Sequence, residues 1–135
     1  MTPESFVDNS LLCGVTHDLA EELFHFTNRK PWQSGLYSKL LVKADDLRVL
    51  LIAMEVGAKI TKHHADGTIT IHVLQGGLSL RVGEKSQILQ RGHILTLAPG
   101  IKHDIEARDD SAFLVTISWP TSATLQSLPH RGYGS

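Results

Sequence analysis

The chain has one cysteine, Cys13, among its 135 residues. A single thiol cannot form an intramolecular disulfide, and it cannot supply the several cysteine ligands of a structural zinc site. Its amino terminus also lacks the basic stretch and the apolar core of a secretory signal. These absences favour a reducing compartment, and we therefore predict a cytoplasmic protein.

Excess charge of one sign and long apolar runs are also missing. Lys and Arg total 13 against 14 for Asp and Glu, a net charge of −1, so no broad positive field is available to bind a nucleic-acid backbone. The longest apolar run, residues 49–54, is far shorter than the roughly 20 residues of a membrane-spanning helix. We therefore predict that neither nucleic acid nor a membrane is a partner.

Short apolar segments separated by turn signals dominate residues 36–118. Their spacing of about ten residues is typical of an all-β sandwich or barrel, here with about eight strands. The Gly76-Gly77 pair predicts a hairpin between Ile69–Leu74 and Leu78–Val82. Residues 119–135 have little periodicity and are predicted to form a C-terminal tail.

The first 35 residues have a different pattern from the barrel region. Asp18 followed by Glu21 has the spacing of a helix-capping box, and Leu19, Leu23 and Phe26 then lie on one helical stripe. This pattern predicts a short helix. The alternative is an extended N-terminal arm that packs its aromatic side chains against the barrel.

Histidine is unusually frequent, with eight in this short chain. By strand alternation His103 shares one face with Ile105, whereas the charged Asp104 and Glu106 occupy the other face. His103 is therefore predicted to point into the barrel. There it could bind a ligand, or it could be a core histidine that only hydrogen-bonds to a carbonyl. His63 follows a similar strand and turn, so imidazoles from two strands are predicted to meet inside.

Two glycine and histidine patterns resemble the two motifs of the cupin superfamily. The matching positions are Gly57, His63, Gly76, Gly92, Gly100 and His103. The resemblance covers residues 36–118 and implies a double-stranded β-helix, which is a jelly-roll barrel with an internal pocket. It also implies a homodimer, because single-domain cupins of this size are commonly dimeric.

The resemblance departs from the family pattern at the metal ligands. A cupin metal is normally held by three imidazoles and a carboxylate, but this chain has Ala65 at the second histidine position and Ile69 or Thr70 at the carboxylate position. His64 or Asp66 is a candidate substitute. The candidate ligands of a divalent iron, manganese, nickel or zinc ion are therefore His63, His103, His64 and Asp66.

The apolar interior of the predicted barrel favours binding of a small molecule. His63 and His103 would be its polar anchors, and the candidate apolar contacts are Ile69, Ile71, Leu95 and Ile105. The predicted interior also includes Val73, Leu97 and Val115 or Ile117. One alternative is a metal-dependent cupin oxygenase or isomerase, or metal-free acid–base chemistry by the two histidines. Whether the protein is an enzyme stays open at this point.

A third alternative is a non-catalytic dimeric module with a sensory or structural role. Four apolar or aromatic side chains would then cover one another across a two-fold axis. They are Leu74, Leu114, Trp32 and Tyr37. The partners predicted from the sequence are thus a small-molecule ligand and a second copy of the chain.

Overall fold

The computed structural model describes residues 14–119 and the backbone of residues 7–8. Cys13 and the predicted tail from residue 120 onward lie outside the described residues. Within the described part, one α-helix and ten strands are present. In chain order they are β1 (Val7–Asp8), α1 (Leu19–Thr27), β2 (Leu36–Lys43), β3 (Leu47–Met54), β4 (Lys59–His63), β5 (Thr68–Gln75), β6 (Gly77–Val82), β7 (Lys85–Gln90), β8 (Ile94–Leu97), β9 (His103–Ala107) and β10 (Ser111–Ser118).

The strands form two sheets that pack face to face. One has the order β1-β2-β3-β10-β5-β8, and the other has the order β4-β9-β6-β7. The main core lies between them, and β5 illustrates its alternation: Ile69, Ile71 and Val73 are buried, whereas His72 and Leu74 on the opposite face are half-buried. The prediction of an all-β jelly roll is confirmed.

The helix predicted near the N-terminus is present. Asp18 caps it, because its Oδ1 accepts a hydrogen bond from the backbone N–H of Glu21 at 3.1 Å. Phe26 is 2% exposed and packs on Leu41 and Leu51 of the outer face of the six-stranded sheet. The helix covers one half of that face, so residues 19–27 are helical rather than extended.

Trp32 and Tyr37 do not lie on a free surface. The Tyr37 ring lies 4.5 Å from that of Phe26 and 6.1 Å from that of Trp32. The indole N–H of Trp32 donates to the carbonyl of Phe26 at 2.9 Å. Both aromatic side chains therefore pack against the chain's own helix, and their contact across a two-fold axis stays a prediction.

The predicted hairpin at Gly76-Gly77 is also wrong. β5 pairs with β10 and β8, whereas β6 pairs with β7 and β9, so the two glycines carry the chain from one sheet to the other. The Ser111 hydroxyl accepts from the Gly77 N–H at 3.0 Å and fixes this crossover. The two glycines indicate a turn but carry no information about which strands pair. A hairpin does occur one strand later, where Gly83 lies in the turn between β6 and β7.

The crossover geometry predicts that the stability of the protein depends strongly on glycine at position 76. Its φ is +75°, and a Cβ there would lie 2.4 Å from the Asp110 carbonyl oxygen. We expect Gly76→Ala to lower the free energy of unfolding by about 2–4 kcal/mol. The control Gly83→Ala also has positive φ but meets nothing within 4 Å, so a loss of about 1 kcal/mol is expected. Equal losses in urea denaturation would contradict this explanation.

The other half of the outer face of the six-stranded sheet is not covered by the helix. Ile94 on β8 is 62% exposed, and it lies opposite His72, which in turn lies opposite Leu114. Leu114 and Leu74 are half-buried and pack on the helix-covered cluster. Among the described residues no helix has the length and apolar character needed to cross a membrane.

The homodimer predicted from the sequence stays a prediction, and Ile94 provides its test. If two copies meet through this face, Ile94→Glu places a charge in the contact and should convert a dimer to a monomer in light scattering at micromolar concentration. Ile88→Glu is the control, because Ile88 is 48% exposed on β7 of the other sheet. A wild-type monomer would contradict the dimer itself.

Candidate functional site

A cavity of about 100 Å³ lies between the two sheets. Its walls come from β3, β4, β5, β9 and β10, and every side chain that lines it is apolar except for two histidines. The lining consists of Leu50, Ile52, Ile60, His63, Ile69, Ile71, His103, Ile105, Phe113, Val115 and Ile117. The enclosure is therefore apolar, with one polar corner.

The polar corner is formed by His63 and His103. Their ring centroids are 5.3 Å apart, and the ring planes make an angle of 74°. His103 is 3% exposed, and its Nδ1 lies 3.2 Å from the carbonyl oxygen of Ile101. Because a carbonyl only accepts, Nδ1 must carry the proton in this bond, which leaves Nε2 of the neutral ring with its lone pair.

His63 faces the cavity because β4 contains a bulge. Ile60 pairs with Ile105, and the next pair is His63 with His103, so β4 uses one more residue than β9 between the two pairs. The extra residue is Lys62, whose φ is +52°. Without it, simple alternation from Ile60 would turn His63 to the outer face.

The surroundings of His63 favour its neutral form. Although the side chain as a whole is exposed at the mouth of the cavity, partial burial lowers its pKa below the ordinary value of 6.5. The imidazoles of His103 and His64 lower the pKa further. At neutral pH the ring is therefore uncharged.

The two substitute metal ligands proposed from the sequence do not line the cavity. His64 and Asp66 are both exposed, and Asp66 Oδ1 accepts a hydrogen bond from the indole N–H of Trp119 at 2.6 Å. Among residues 14–119, no group of three or more His, Cys, Asp or Glu side chains is placed to hold a metal ion. The predicted four-member set is therefore not assembled.

Three of the four predicted apolar contacts line the cavity, and Leu95 does not. Ile69, Ile71 and Ile105 are in the lining, whereas Leu95 lies opposite Ile71 on β8 and packs at the edge of the core. β8 is the outermost strand of its sheet. A residue on the correct face of this edge strand is therefore too far to one side to reach the cavity.

Four lining residues were not identified from the sequence. Leu50 and Ile52 belong to a strand that is apolar on both faces, so alternation gives no signal there. Ile60 belongs to β4, where the bulge interrupts the alternation from which an inward residue could be predicted. Phe113 lies two residues before Val115 on the same strand, so strand alternation alone predicts that both side chains point into the core.

Comparison with known protein families shows the family to which the chain belongs. The family model for the cupin domain matches residues 50–119, just over half of the chain. The chain is a cupin. A search of the curated proteins found no match to it.

Solved structures agree with this cupin assignment at the level of fold. A cupin superfamily protein from Desulfitobacterium hafniense has a TM-score of 0.63 at 15% identity, over 70% of this chain and 86% of the other. An RmlC-like cupin from Shewanella frigidimarina has 0.60 at 18%, over 68% and 83%. KdgF from a Halomonas species has 0.60 at 20%, over 71% and 91%. Identities this low show the fold alone.

The donor set of this cupin does not fit the metal sphere of the family. The resemblance puts the missing histidine at Ala65, which packs against the core. It puts the carboxylate at Ile69 or Thr70, and Ile69 is a buried lining residue, 1% exposed. None of Ala65, Ile69 and Thr70 carries an imidazole or a carboxylate, so the described residues offer two imidazoles where the family uses four donors.

The lowered pKa of His63 predicts a pH dependence of stability. The folded protein binds this proton less readily than the unfolded chain, so the contribution of the neutral ring is complete above the ordinary pKa and is lost as pH falls toward the lowered folded value. We expect the free energy of unfolding to fall more between about pH 7.5 and about pH 5.5 in wild type than in His63→Gln. His25→Gln, on the exposed side of α1, is the control. The same fall in wild type and His63→Gln would contradict the assignment.

Proposed function

We propose that this cupin binds a small aliphatic molecule that carries one hydroxyl or similarly polar group. The observation that carries the proposal is the pair of imidazoles 5.3 Å apart at the polar corner of an otherwise apolar cavity. The apolar lining would hold the hydrocarbon part of the ligand, and the histidines would orient its polar group.

The size of the cavity limits the ligand. A cavity of about 150 Å³ in another protein admits benzene, so the cavity of about 100 Å³ here suits a ligand of about five non-hydrogen atoms. The best ligands of that size gain about 1.5 kcal/mol per non-hydrogen atom, so binding is expected to be no tighter than the low micromolar range.

The protonation states favour a hydroxyl over an anion. The Nδ1 proton of His103 is directed to the Ile101 carbonyl, so its Nε2 accepts and suits a ligand O–H donor. His63 is neutral at neutral pH, because its pKa is lowered. A carboxylate would therefore meet no positive charge on the His63 ring at neutral pH.

Ligand binding in this proposal does not need a metal ion. Two imidazoles anchor the polar group directly, and hydrogen bonding is the only chemistry assigned to them. The alternative of a metal-dependent oxygenase or isomerase would need donors at the positions that Ala65 and Ile69 occupy.

Isobutanol is a suitable probe, with isobutyrate as its anionic counterpart. We expect isobutanol to shift the NMR resonances of Ile71, Ile105 and Phe113 at about pH 7.5 in protein treated with chelator, and isobutyrate to bind more weakly there. Binding of isobutyrate should strengthen at lower pH as His63 gains a proton.

Two substitutions distinguish the role of His63 in ligand binding from that of its neighbour His64. His63→Ala should weaken isobutanol binding about tenfold, the effect of losing one hydrogen bond of about 1.4 kcal/mol. His64→Ala removes the adjacent but exposed histidine and should leave binding unchanged. Binding that appears only after zinc or iron is restored, or that is equal in His63→Ala and wild type, would contradict the proposal.

A further inference from the structure

We infer that Asp104, on the outside of the barrel, is the positioning residue that turns His63 into the cavity. Oδ1 of Asp104 accepts a hydrogen bond from the backbone N–H of Lys62 at 2.6 Å. Lys62 is the extra residue of the β4 bulge, directly before His63. The inference rests on the proposed function only for the use made of His63, because the hydrogen bond and the bulge are independent of any ligand.

Regular alternation along β4 would point His63 away from the cavity. Ile60 lines the cavity, and Thr61 lines a separate groove on the outer face of the four-stranded sheet. The next inward position in a regular strand would be Lys62, and His63 would point outward to solvent. The bulge at Lys62 reverses that order, so the cavity gains an imidazole in place of a lysine side chain.

The bulge needs a partner for its backbone. An extra residue in a bulge leaves the strand ladder, and its N–H then has no partner on the neighbouring strand. Lys62 is also a non-glycine residue with positive φ, a conformation that L-residues adopt only when the surroundings hold it. The Asp104 carboxylate supplies both the missing acceptor and the restraint.

The Asp104 carboxylate also lies near a cation of the neighbouring strand. Its second oxygen, Oδ2, lies 3.9 Å from Nε of Arg81 on the neighbouring strand β6. Asp104 therefore joins β6 and β9 to the bulge of β4 along the outer groove. Because Asp104 and His103 are consecutive, the two histidines of the cavity are positioned by one short segment of β9.

Variants at Asp104 test this role. Asp104→Asn and Asp104→Ala remove the same charge, but only the amide keeps an oxygen that accepts from the Lys62 N–H. The readout is the NOE between the ring protons of His63 and His103, together with isobutanol binding. We expect both to persist in Asp104→Asn and to be lost in Asp104→Ala.

A matched control separates the hydrogen bond from general effects on the sheet. Glu106 lies on the same outer face of β9 and lines the same groove, but its carboxylate has no hydrogen bond to β4 among the described contacts. Glu106→Ala should therefore keep the NOE. The inference would be overturned if the NOE between His63 and His103 were lost in both Asp104→Ala and Asp104→Asn, or if it persisted in both.

Variants at Lys62 keep the test decisive if Asp104→Ala does not fold. Lys62→Gly adopts positive φ without steric cost and should keep the NOE, whereas Lys62→Val disfavours that conformation and should lose it. Equal NOEs in the two variants would overturn the inference. If the NOEs behave as expected but wild type does not bind isobutanol, the proposed function fails and the positioning role of Asp104 stands.

Discussion

The alternation of side chains along each strand is the constraint on which the rest of this structure depends. Two facing sheets bury one side of every strand, so each residue is committed either to the core or to the outer surface. That alternation places Ile69, Ile71 and Ile105 in the cavity and puts the imidazole of His103 among them. The cavity is the space that these inward side chains leave between the sheets.

The candidate site arises where this alternation is broken. One residue more in β4 than in β9 brings His63 to face His103, and the pair then has an apolar enclosure on one side and solvent on the other. The same surroundings keep His63 uncharged. The chain thus has a cupin barrel in which two of the family's ligand positions lack a histidine or a carboxylate, and its polar corner offers hydrogen bonds rather than a complete metal sphere.

Much of the fold could be predicted from the sequence because regular elements follow local rules. The cap at Asp18 and the inward direction of His103 needed only spacing and alternation. The pairing of β5 and β6 could not be predicted, because Gly76-Gly77 looks the same in a hairpin and in a crossover. The inward direction of His63 was expected from the strand and turn that precede it, but its cause, positive φ at Lys62, has no signature in the residue type.

The position of β4 in the sheet has a consequence for entry into the cavity. β3, β5, β9 and β10 each have hydrogen-bonded neighbours on both sides, whereas β4 is paired with β9 alone. The wall that carries His63 is therefore the wall whose outward displacement breaks the fewest backbone hydrogen bonds. A ligand would therefore enter and leave at least cost beside the exposed imidazole of His63, with the buried His103 at the back of the site.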